Sequence, residues 1–405
     1  MTLRNLGTLV AVVAAAGALA ACGSSRTTTT VRPAPRTTTT TVTRPTKPPA
    51  RRKTAALPWP TYGAGNARLR SADEPGLRPP FRRLWVFHGR HLLEFPPVVG
   101  YDSVFEEAFD GRLYSLDPAT GRVRWRFESH RCGWSSPALA DRLVFATFIG
   151  NRECHAALGG GELLAFSAET GRIRWRRPLG PSESSPLVAG GIVYVGDQDG
   201  YVRAFAARTG HLRWSFYTGA PIKASAALAD GRLFVGNYAG EMFALAAGTG
   251  RLLWRSAGHG SFYSTAAVDA GRVYVGSLDG RVYAFSARTG AVLWSYGTGS
   301  YVYASPAVWH GLVLVGSYDH AFYALAGTTG SVRWVYRATA PISGSASVVD
   351  GLVYFASFAH RTYALDAASG RLRAEWPDGE YSPAVAGGGR LYLVGLGRIY
   401  ALEAR

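Results

Sequence analysis

The sequence predicts an all-β fold, an eight-bladed β-propeller of four-stranded antiparallel blades, and three observations lead to it. A Thr/Ser-Gly step followed four residues later by Trp recurs at intervals of about 40 residues. Each interval holds short apolar runs separated by turn residues. The two ends of the repeat region carry incomplete units that complement each other. A period near 40 built from short strands is typical of propellers.

The first 22 residues have the character of an export signal. A basic residue, Arg4, precedes an apolar run from Leu9 to Ala21, which is short for a bilayer span. The run ends in Leu-Ala-Ala-Cys, which resembles the lipobox of bacterial lipoproteins, and this resemblance implies lipidation of Cys22 after cleavage. The alternative is an ordinary signal peptide with an incidental cysteine. We expect residues 1–22 to be a lipoprotein signal peptide.

Residues 23–57 are predicted to form a disordered tether. They consist largely of Thr, Pro and basic residues without a carboxylate, so they cannot bury enough apolar surface to fold. Eight of the chain's net charge of +17 lie here, so the basic balance belongs largely to the tether. We therefore expect no nucleic-acid partner, and attraction to anionic lipid or cell-wall polymer suits the tether better.

Two cysteines remain after Cys22. Cys132 and Cys154 form an even pair in a chain that carries an export signal, so we predict a disulfide between them. The alternative is two unpaired thiols. No Cys/His spacing indicates a metal site.

The repeated Trp and Gly positions define the units. The glycines are Gly121, Gly171, Gly210, Gly250, Gly290, Gly330 and Gly370, and the tryptophans are Trp85, Trp125, Trp175, Trp214, Trp254, Trp294 and Trp334. In Ser305–Trp334 the four strands are visible as Ala307-Val308, LVLVG, AFYAL and SVRW, joined by hairpin turns. Both faces of these runs are apolar, as stacked blades require.

The ends of the repeat region predict how the ring closes. Eight units contain strands one to three, and the last stops at RIYALEAR without a fourth strand. Residues 82–89 contain Trp85, which lies 40 residues before Trp125, and no strands precede them. We predict that 82–89 pair with the C-terminal blade, so that residues 82–405 form a ring without an exposed edge.

These units resemble the tryptophan-docking repeats of the pyrroloquinoline-quinone (PQQ) quinoprotein propellers. The similarity rests on Y-A-F-S-A-R-T-G-x-x-x-W at Tyr283–Trp294 and Y-S-L-D-P-A-T-G-x-x-x-W at Tyr114–Trp125, and on WPTYG from Trp59, which resembles the family's lead-in and defines residues 58–81 as a lead-in segment. The resemblance implies a structural role for the Trp residues, between blades. Ala374 occupies the next Trp position, with Trp376 as a possible substitute.

The resemblance covers two kinds of protein, and fold alone does not choose between them. The PQQ dehydrogenases use adjacent cysteines beside the quinone, a calcium held by Glu, Asn and Asp, and an Asp base. This chain has no adjacent cysteines and no matching ligand set. The noncatalytic lipoproteins similar to the outer-membrane β-barrel assembly propeller share the lipid anchor. We therefore expect a protein without catalytic residues, cofactor or metal; the alternative is a PQQ-dependent alcohol or sugar dehydrogenase with calcium.

The loops between strands two and three and between blades diverge among the copies, so we expect the binding face there. Glu106 and Glu107 replace residues that correspond to Val315 and Gly316, and we expect them at the channel mouth unless that strand is simply irregular. His320 and His360 stand where other blades have Gly, with surface polarity as the alternative. The remaining candidates are Lys223, Tyr263, Tyr303, Tyr318 and Phe358, an aromatic rim for peptide or glycan, although such residues also simply pack.

Blade 2 carries about ten extra residues, FIGNRECHAALGG, with Cys154 in this insertion. The pinned loop is either a binding lid or a stapled insertion. Together these features predict a monomeric, lipid-anchored, extracytoplasmic binding or scaffold module of the cell envelope. Its partner is an envelope protein, a peptide or a cell-wall polymer.

Overall fold

The fold is the predicted all-β ring of eight blades. The computed structural model describes residues 57–151, 160–381 and 384–405, and in these ranges the chain forms 34 β-strands. Within the same ranges no helix has the length and apolar character needed to cross a membrane.

The strands follow one another around the ring in chain order. The lead-in and the closing strand are β1 (Ser71–Ala72) and β2 (Phe81–His88). Blade 1 is β3 (Val98–Gly100), β4 (Ser103–Glu107), β5 (Arg112–Leu116) and β6 (Val123–Glu128). Blade 2 is β7 (Cys132–Gly133), β8 (Ala138–Ala140), β9 (Leu143–Ile149), β10 (Gly161–Ser167) and β11 (Ile173–Leu179). Blade 3 is β12 (Leu187–Ala189), β13 (Ile192–Gly196), β14 (Tyr201–Ala206) and β15 (Leu212–Tyr217). Blade 4 is β16 (Ala227–Ala229), β17 (Arg232–Gly236), β18 (Glu241–Ala246) and β19 (Leu252–Ala257).

The second half of the ring has the same composition. Blade 5 is β20 (Ala267–Asp269), β21 (Arg272–Gly276), β22 (Arg281–Ser286) and β23 (Val292–Gly297). Blade 6 is β24 (Ala307–Trp309), β25 (Leu312–Gly316), β26 (Ala321–Ala326) and β27 (Val332–Arg337). Blade 7 is β28 (Ser347–Val349), β29 (Leu352–Ser357), β30 (Arg361–Asp366) and β31 (Leu372–Trp376). Blade 8 is β32 (Val385–Gly387), β33 (Arg390–Val394) and β34 (Arg398–Ala404).

The ring closes between the two ends of the described chain, as predicted. Strand β2 pairs antiparallel with β34 and becomes the outermost strand of blade 8, with Trp85 opposite Ala401 and Val86 opposite Tyr400. The predicted segment 82–89 therefore supplies the fourth strand that the C-terminal unit lacks.

Each repeated Trp packs against the repeated Gly of the next blade. The indole of Trp254 lies against Gly290, where a Cβ atom would come within 2.7 Å of the ring, and its Nε1–H donates to the carbonyl of Ala287 at 3.0 Å. The same pairing joins Trp85 to Gly121 and Trp334 to Gly370. Each Thr-Gly-x-x-x-Trp unit thus takes part in two contacts: its Gly packs against the Trp of the preceding blade, and its Trp packs against the Gly of the next blade. A glycine is required there because a side chain would displace the indole.

A second set of contacts joins the inner strands. The backbone N–H of Ser185 donates to Ser225 Oγ at 2.8 Å, that of Ser225 to Thr265 Oγ1 at 3.0 Å, and that of Thr265 to Ser305 Oγ at 3.0 Å. These residues stand just before the innermost strands, one per blade. Because each hydroxyl takes a donor from the preceding blade, the segments lining the channel form a continuous hydrogen-bonded arc.

One seam departs from this pattern. At the Trp position of blade 7, Ala374 lies opposite Ala364 in the sheet, while Trp376 packs against Tyr354 and Phe81 with ring centroids 6.1 and 6.2 Å apart. An apolar groove of about 610 Å³ remains between blades 7 and 8. Trp376 therefore makes aromatic contacts at this seam but does not fill the groove.

The lead-in segment closes one end of the channel. Carbonyl oxygens of Pro60, Asn66, Ala67, Leu69 and Arg70 accept hydrogen bonds from the innermost strands of blades 2, 4, 5, 6 and 7. The guanidinium of Arg68, fully buried, donates to the carbonyls of Ala226 at 2.9 Å and Ser185 at 3.3 Å. The lead-in thus circles the channel on the side of the short first-to-second-strand turns, and within the described ranges the opposite mouth is not covered by it.

Candidate functional site

The candidate site is a cavity of about 350 Å³ at the open mouth of the channel. It lies on the face formed by the loops between blades and by the second-to-third-strand loops, which is the face where the repeated units diverge. Its inner end is closed by Tyr62 of the lead-in, whose hydroxyl contacts Ser345 Oγ at 2.7 Å and Ser305 Oγ at 3.3 Å. The mouth is therefore a blind recess.

One position in each blade supplies most of the lining. It stands four residues before the innermost strand, and its occupants are Glu94, Trp134, Glu183, Lys223, Tyr263, Tyr303, Ser343 and Tyr381. All of them except Trp134 line the cavity. The hydroxyl arc fixes the backbone two residues further on, so this position is held rigidly while its side chain is free to differ from blade to blade.

Glu183 is the centre of a buried polar cluster on one side of the mouth. Its carboxylate pairs with Lys223 Nζ at 2.9 Å, and it accepts hydrogen bonds from Gln198 Nε2 at 2.9 Å and from the Tyr263 hydroxyl at 3.2 Å. Lys223 Nζ also lies 5.4 Å from the ring centre of Tyr238 and 6.0 Å from that of Tyr263. A carboxylate and two aromatic faces together therefore hold this ammonium group.

A chain of aromatic rings continues around the mouth. Ring centroids are 5.2 Å apart between Tyr263 and Tyr303 and 5.0 Å apart between Tyr303 and Tyr318. Phe358 lies 5.5 Å from Tyr318 and 5.7 Å from Tyr381. The chain reaches from blade 5 to blade 8, and each ring restricts the next.

Carboxylates concentrate on the other side of the mouth. Burial, together with the charges of Glu183 and Glu380, raises the pKa of Glu94 to about 7. Glu380 pairs with His360 Nδ1 at 3.0 Å. Burial, and then the charges of Glu183 and Glu94, also raise the pKa of the Tyr263 hydroxyl well above its ordinary value. The carboxyl groups of Glu94, Glu183 and Glu380 thus lie close enough around the mouth for their charges to act on one another.

Lys223 and the four aromatic residues proposed from the sequence lie together here. Lys223, Tyr263, Tyr303 and Tyr318 line the cavity, and Phe358 supports Tyr318. The sequence reasoning missed Glu94, Glu183, Tyr238 and Tyr381. Glu94, Glu183 and Tyr381 share the position four residues before an inner strand, which becomes visible once these strands have bounds.

His320 and His360 occupy the turn position at which other blades have glycine. Their φ angles are +70° and +55°, so the backbone keeps the left-handed conformation there. Both side chains are exposed at the periphery, outside the residues that line the cavity. His360 is connected to the site through Glu380.

Glu106 and Glu107 do not open onto the mouth, which corrects the expectation from the sequence. Both are buried within β4, with 0 % and 2 % of their surface exposed. Glu107 accepts a hydrogen bond from Ser135 Oγ at 3.2 Å, while both oxygens of Glu106 lack a hydrogen-bond partner among the described residues. Burial raises the pKa of both carboxyl groups well above its ordinary value, and for Glu106 the charge of Glu107 adds to this. Both carboxylates therefore occupy positions that hold buried residues in other blades, and both remain buried in β4.

The cysteines are only partly described. Cys132 is buried in β7, whereas Cys154 and Cys22 lie outside the described residues. The disulfide and the lipid attachment stay predictions.

The mouth does not fit the quinone cofactor of the PQQ dehydrogenases. PQQ is a planar tricarboxylate, and here its carboxylates would face Glu94 and Glu183 while Lys223 is already paired. Among the described residues no group of His, Cys, Asp and Glu is arranged to hold a metal ion.

Comparison with known proteins gives one family and several similar folds. The model of the family described as outer membrane protein assembly factor BamB matches residues 109–255 and 198–405. The curated BamB of Bordetella pertussis is 32 % identical over 107 residues, 25 % of this chain and 26 % of that protein. BamB of Burkholderia pseudomallei is 29 % identical over 103 residues, with the same coverage. The chain thus matches about a quarter of the length of these relatives.

Solved structures share the fold at low identity. BamB from Moraxella catarrhalis superposes with a TM-score of 0.66 at 17 % identity, covering 80 % of this chain and 99 % of that one. Quinohemoprotein alcohol dehydrogenase from Comamonas testosteroni gives 0.70 at 15 % identity, covering 86 % and 81 %. At such identities the likeness shows the propeller architecture and leaves activity open.

Proposed function

Because the chain belongs to the family described as outer membrane protein assembly factor BamB, we propose that it is a noncatalytic propeller that binds an envelope protein during assembly. The observation that carries the proposal is the blind, rigidly framed mouth on the divergent face, with buried charges and aromatic rings but no fit to the quinone. A propeller ring holds such a recess without needing to move, which suits a scaffold.

The proposed location is outside the cytoplasm, on a lipid anchor. The apolar run ending at Ala21, the lipobox-like sequence before Cys22 and the Thr/Pro/Arg composition of residues 23–57 support it. Two or more acyl chains hold a protein firmly at a membrane, whereas one chain binds only marginally. Mass spectrometry of the mature N-terminus tests the anchor: diacylglycerol on Cys22 is expected. An unmodified Cys22 within an uncleaved leader refutes it.

Photo-crosslinking in living cells tests the binding role. A crosslinking phenylalanine analogue at Tyr301, which is 53 % exposed and lies 6.2 Å from Tyr303 between ring centroids, probes the mouth. The matched control is Val335, which is 42 % exposed on the outermost strand of the same blade. We expect a specific envelope protein to be captured from Tyr301 only, and capture to be lost when Tyr303 is replaced by Ser.

A deletion strain tests the assembly role. Loss of the protein is expected to lower the amount of the captured protein that reaches its folded, protease-resistant form, and the wild-type chain to restore it. Identical adducts from Tyr301 and Val335, or unchanged amounts of folded protein after deletion, contradict the proposal.

A further inference from the structure

Within the described ranges, seven of the eight seams between blades are closed by the same contact. In each of them an indole packs against the glycine of the next blade. The indole Nε1–H donates to the carbonyl three residues before that glycine, at 2.8 to 3.1 Å. The seams therefore show seven times that the space between two outer strands takes a planar aromatic group.

At the seam between blades 7 and 8 both members of this contact are replaced. Ala374 stands at the Trp position of blade 7, and Phe81 stands at the Gly position of the closing strand. Trp376 lies two residues beyond Ala374, where blades 5 and 6 have Tyr296 and Tyr336. It therefore keeps the place of those tyrosines and does not replace the docking indole.

The groove of about 610 Å³ lies at this seam. Its apolar lining includes Phe81, Ala374, Trp376, Leu393, Val394 and Leu402. Phe81, Ala374 and Trp376 are only partly buried, so the groove opens to the surface. Ligand sites in proteins have volumes of about 300–1,000 Å³, so an aromatic side chain with part of its backbone fits.

The carboxylates at the rim of the groove are already paired. Glu375 pairs with Arg361 at 3.0 Å, and Asp378 pairs with Arg398 at 3.3 Å. Arg83, the other charged residue in the described lining, is exposed. The groove thus offers an apolar surface and no unpaired carboxylate among these residues, which suits an uncharged group.

The parts of the chain outside the described ranges do not supply an aromatic group. They are residues 1–56, 152–159 and 382–383, and none of them is Phe, Tyr or Trp. An aromatic occupant therefore comes from another molecule. Aromatic side chains that insert into a pocket carry much of the binding energy at protein interfaces.

We propose that this groove binds a Trp, Tyr or Phe side chain of the partner protein. The inference rests on the proposed function for the nature of the partner, and it adds a second contact with that partner. The groove and the cavity at the mouth share no lining residue, so the two contacts are separate. The rings of Phe81 and Trp376, with centroids 6.2 Å apart, provide aromatic surface for the incoming ring.

Fluorine NMR with the purified full-length chain in detergent tests this proposal, because it detects weak binding. The probe is a Gly/Ser peptide that carries one fluorotryptophan. Unlabelled peptides of the same sequence, with Trp, Leu or Lys at that position, compete with it. We expect the Trp peptide to displace the probe about three- to tenfold more effectively than the Leu peptide, and the Lys peptide not to displace it.

Two substitutions on β31 locate the binding site. Ala374→Trp places an indole at the Trp position, and it is expected to weaken probe binding about tenfold because the groove is then filled. Leu372→Trp adds the same residue at a side chain that is 41 % exposed and outside the lining, and binding is expected to stay within about twofold. Because both variants gain one tryptophan in the same detergent, the comparison between them reports the groove.

A double variant keeps the test decisive if Ala374→Trp alone overfills the seam. Ala374→Trp with Phe81→Gly recreates the residue pair of the other seven seams. It is expected to unfold at a higher temperature than Ala374→Trp alone and to lose probe binding to the same extent. Thermal unfolding of every variant checks that the ring is intact.

The outcomes separate this inference from the proposed function. Equal displacement by the Trp and Leu peptides refutes the aromatic assignment, even where the Tyr301 crosslink persists. Probe binding that survives both the single and the double variant refutes the assignment to the groove. Selective binding at the groove in a chain that gives no Tyr301 crosslink supports the aromatic site and refutes the proposed function.

Discussion

The side chain of Glu107 in blade 1 fills the space beside Gly133 of blade 2. In later blades a side chain at the position that corresponds to Gly133 fills this space instead. A Cβ atom on Gly133 would lie 2.6 Å from Glu107 Cγ. In blades 4 and 5 the sizes are reversed: Gly236 faces Phe262, and Gly276 faces Val302, each with a would-be Cβ contact of 2.5 Å. The two positions therefore exchange large and small residues between blades.

This exchange predicts strong coupling between the two positions. Gly133→Val is expected to lower the free energy of unfolding by about 2–3 kcal/mol, because it overfills a site that Glu107 already occupies. Adding Glu107→Gly removes the side-chain contact but leaves the carbonyl oxygen of Ala108 2.6 Å from the added Cβ, so it is expected to recover part of that loss. Urea unfolding of the two single variants and the double variant measures the coupling. Strictly additive effects contradict the contact.

The buried carboxyl groups of β4 predict a pH dependence of stability. The pKa values of Glu106 and Glu107 are raised in the folded state, so the folded protein retains protons that the unfolded chain releases above pH 4.5. Their contribution to stability is therefore largest below about pH 4.5 and is lost as the pH rises, by about 1.4 kcal/mol per pH unit for each group. Urea unfolding between pH 5 and 8 is expected to show a smaller slope in Glu106→Gln. An unchanged slope contradicts this account.

Two glycines allow the cost of backbone strain to be measured separately from the cost of the indole contact. Gly290 and Gly271 have φ angles of +77° and +74°, but a Cβ on Gly290 meets Trp254 whereas Gly271 has nothing within 4 Å. Gly271→Ala is expected to cost about 1–2 kcal/mol through strain alone. Gly290→Ala is expected to cost about 1–3 kcal/mol more, because the indole must move.

Chemical denaturation measures both changes, and a Trp254→Leu background serves as the control. There the additional cost of Gly290→Ala is expected to disappear. Equal costs for the two alanine variants in the wild-type background would rule out the indole contact as the reason for the repeated glycine.

The quinone alternative predicts binding of a tricarboxylate at the mouth. Because carboxylates line the mouth, titration with PQQ and calcium is expected to give neither saturable binding nor dye reduction. Absorbance of the quinone and thermal unfolding monitor the titration, with a PQQ-dependent alcohol dehydrogenase as positive control. One-to-one binding accompanied by dye reduction would establish the oxidoreductase instead.

The architecture could be predicted from the sequence because its determinants are local and repeated. Trp254 and Gly290 each belong to a motif that recurs every 40 residues, and the orphan Trp85 indicated the closure. The family resemblance read from the same motifs is confirmed by the match to residues 109–405.

The mouth was only partly predictable, since its residues share a place in space without sharing a motif. Glu94 and Glu183 stand in loops of different sequence, and their common position becomes visible only once the inner strands have bounds. The burial of Glu107 could not be predicted, because it depends on the neighbouring Gly133, which leaves room for a buried side chain. No repeated motif predicts the circular path of the lead-in or the burial of Arg68 within it.

That circular path determines how the ring responds to tension. Leu57 lies against Gly100 on the turn side of the channel, so any pull from upstream acts first on the lead-in. Its backbone bonds to the innermost strands of six blades share the load around the circumference, where a tether joined to one edge strand would peel that blade away. The recess on the opposite face of the ring is therefore expected to keep its shape under such a load.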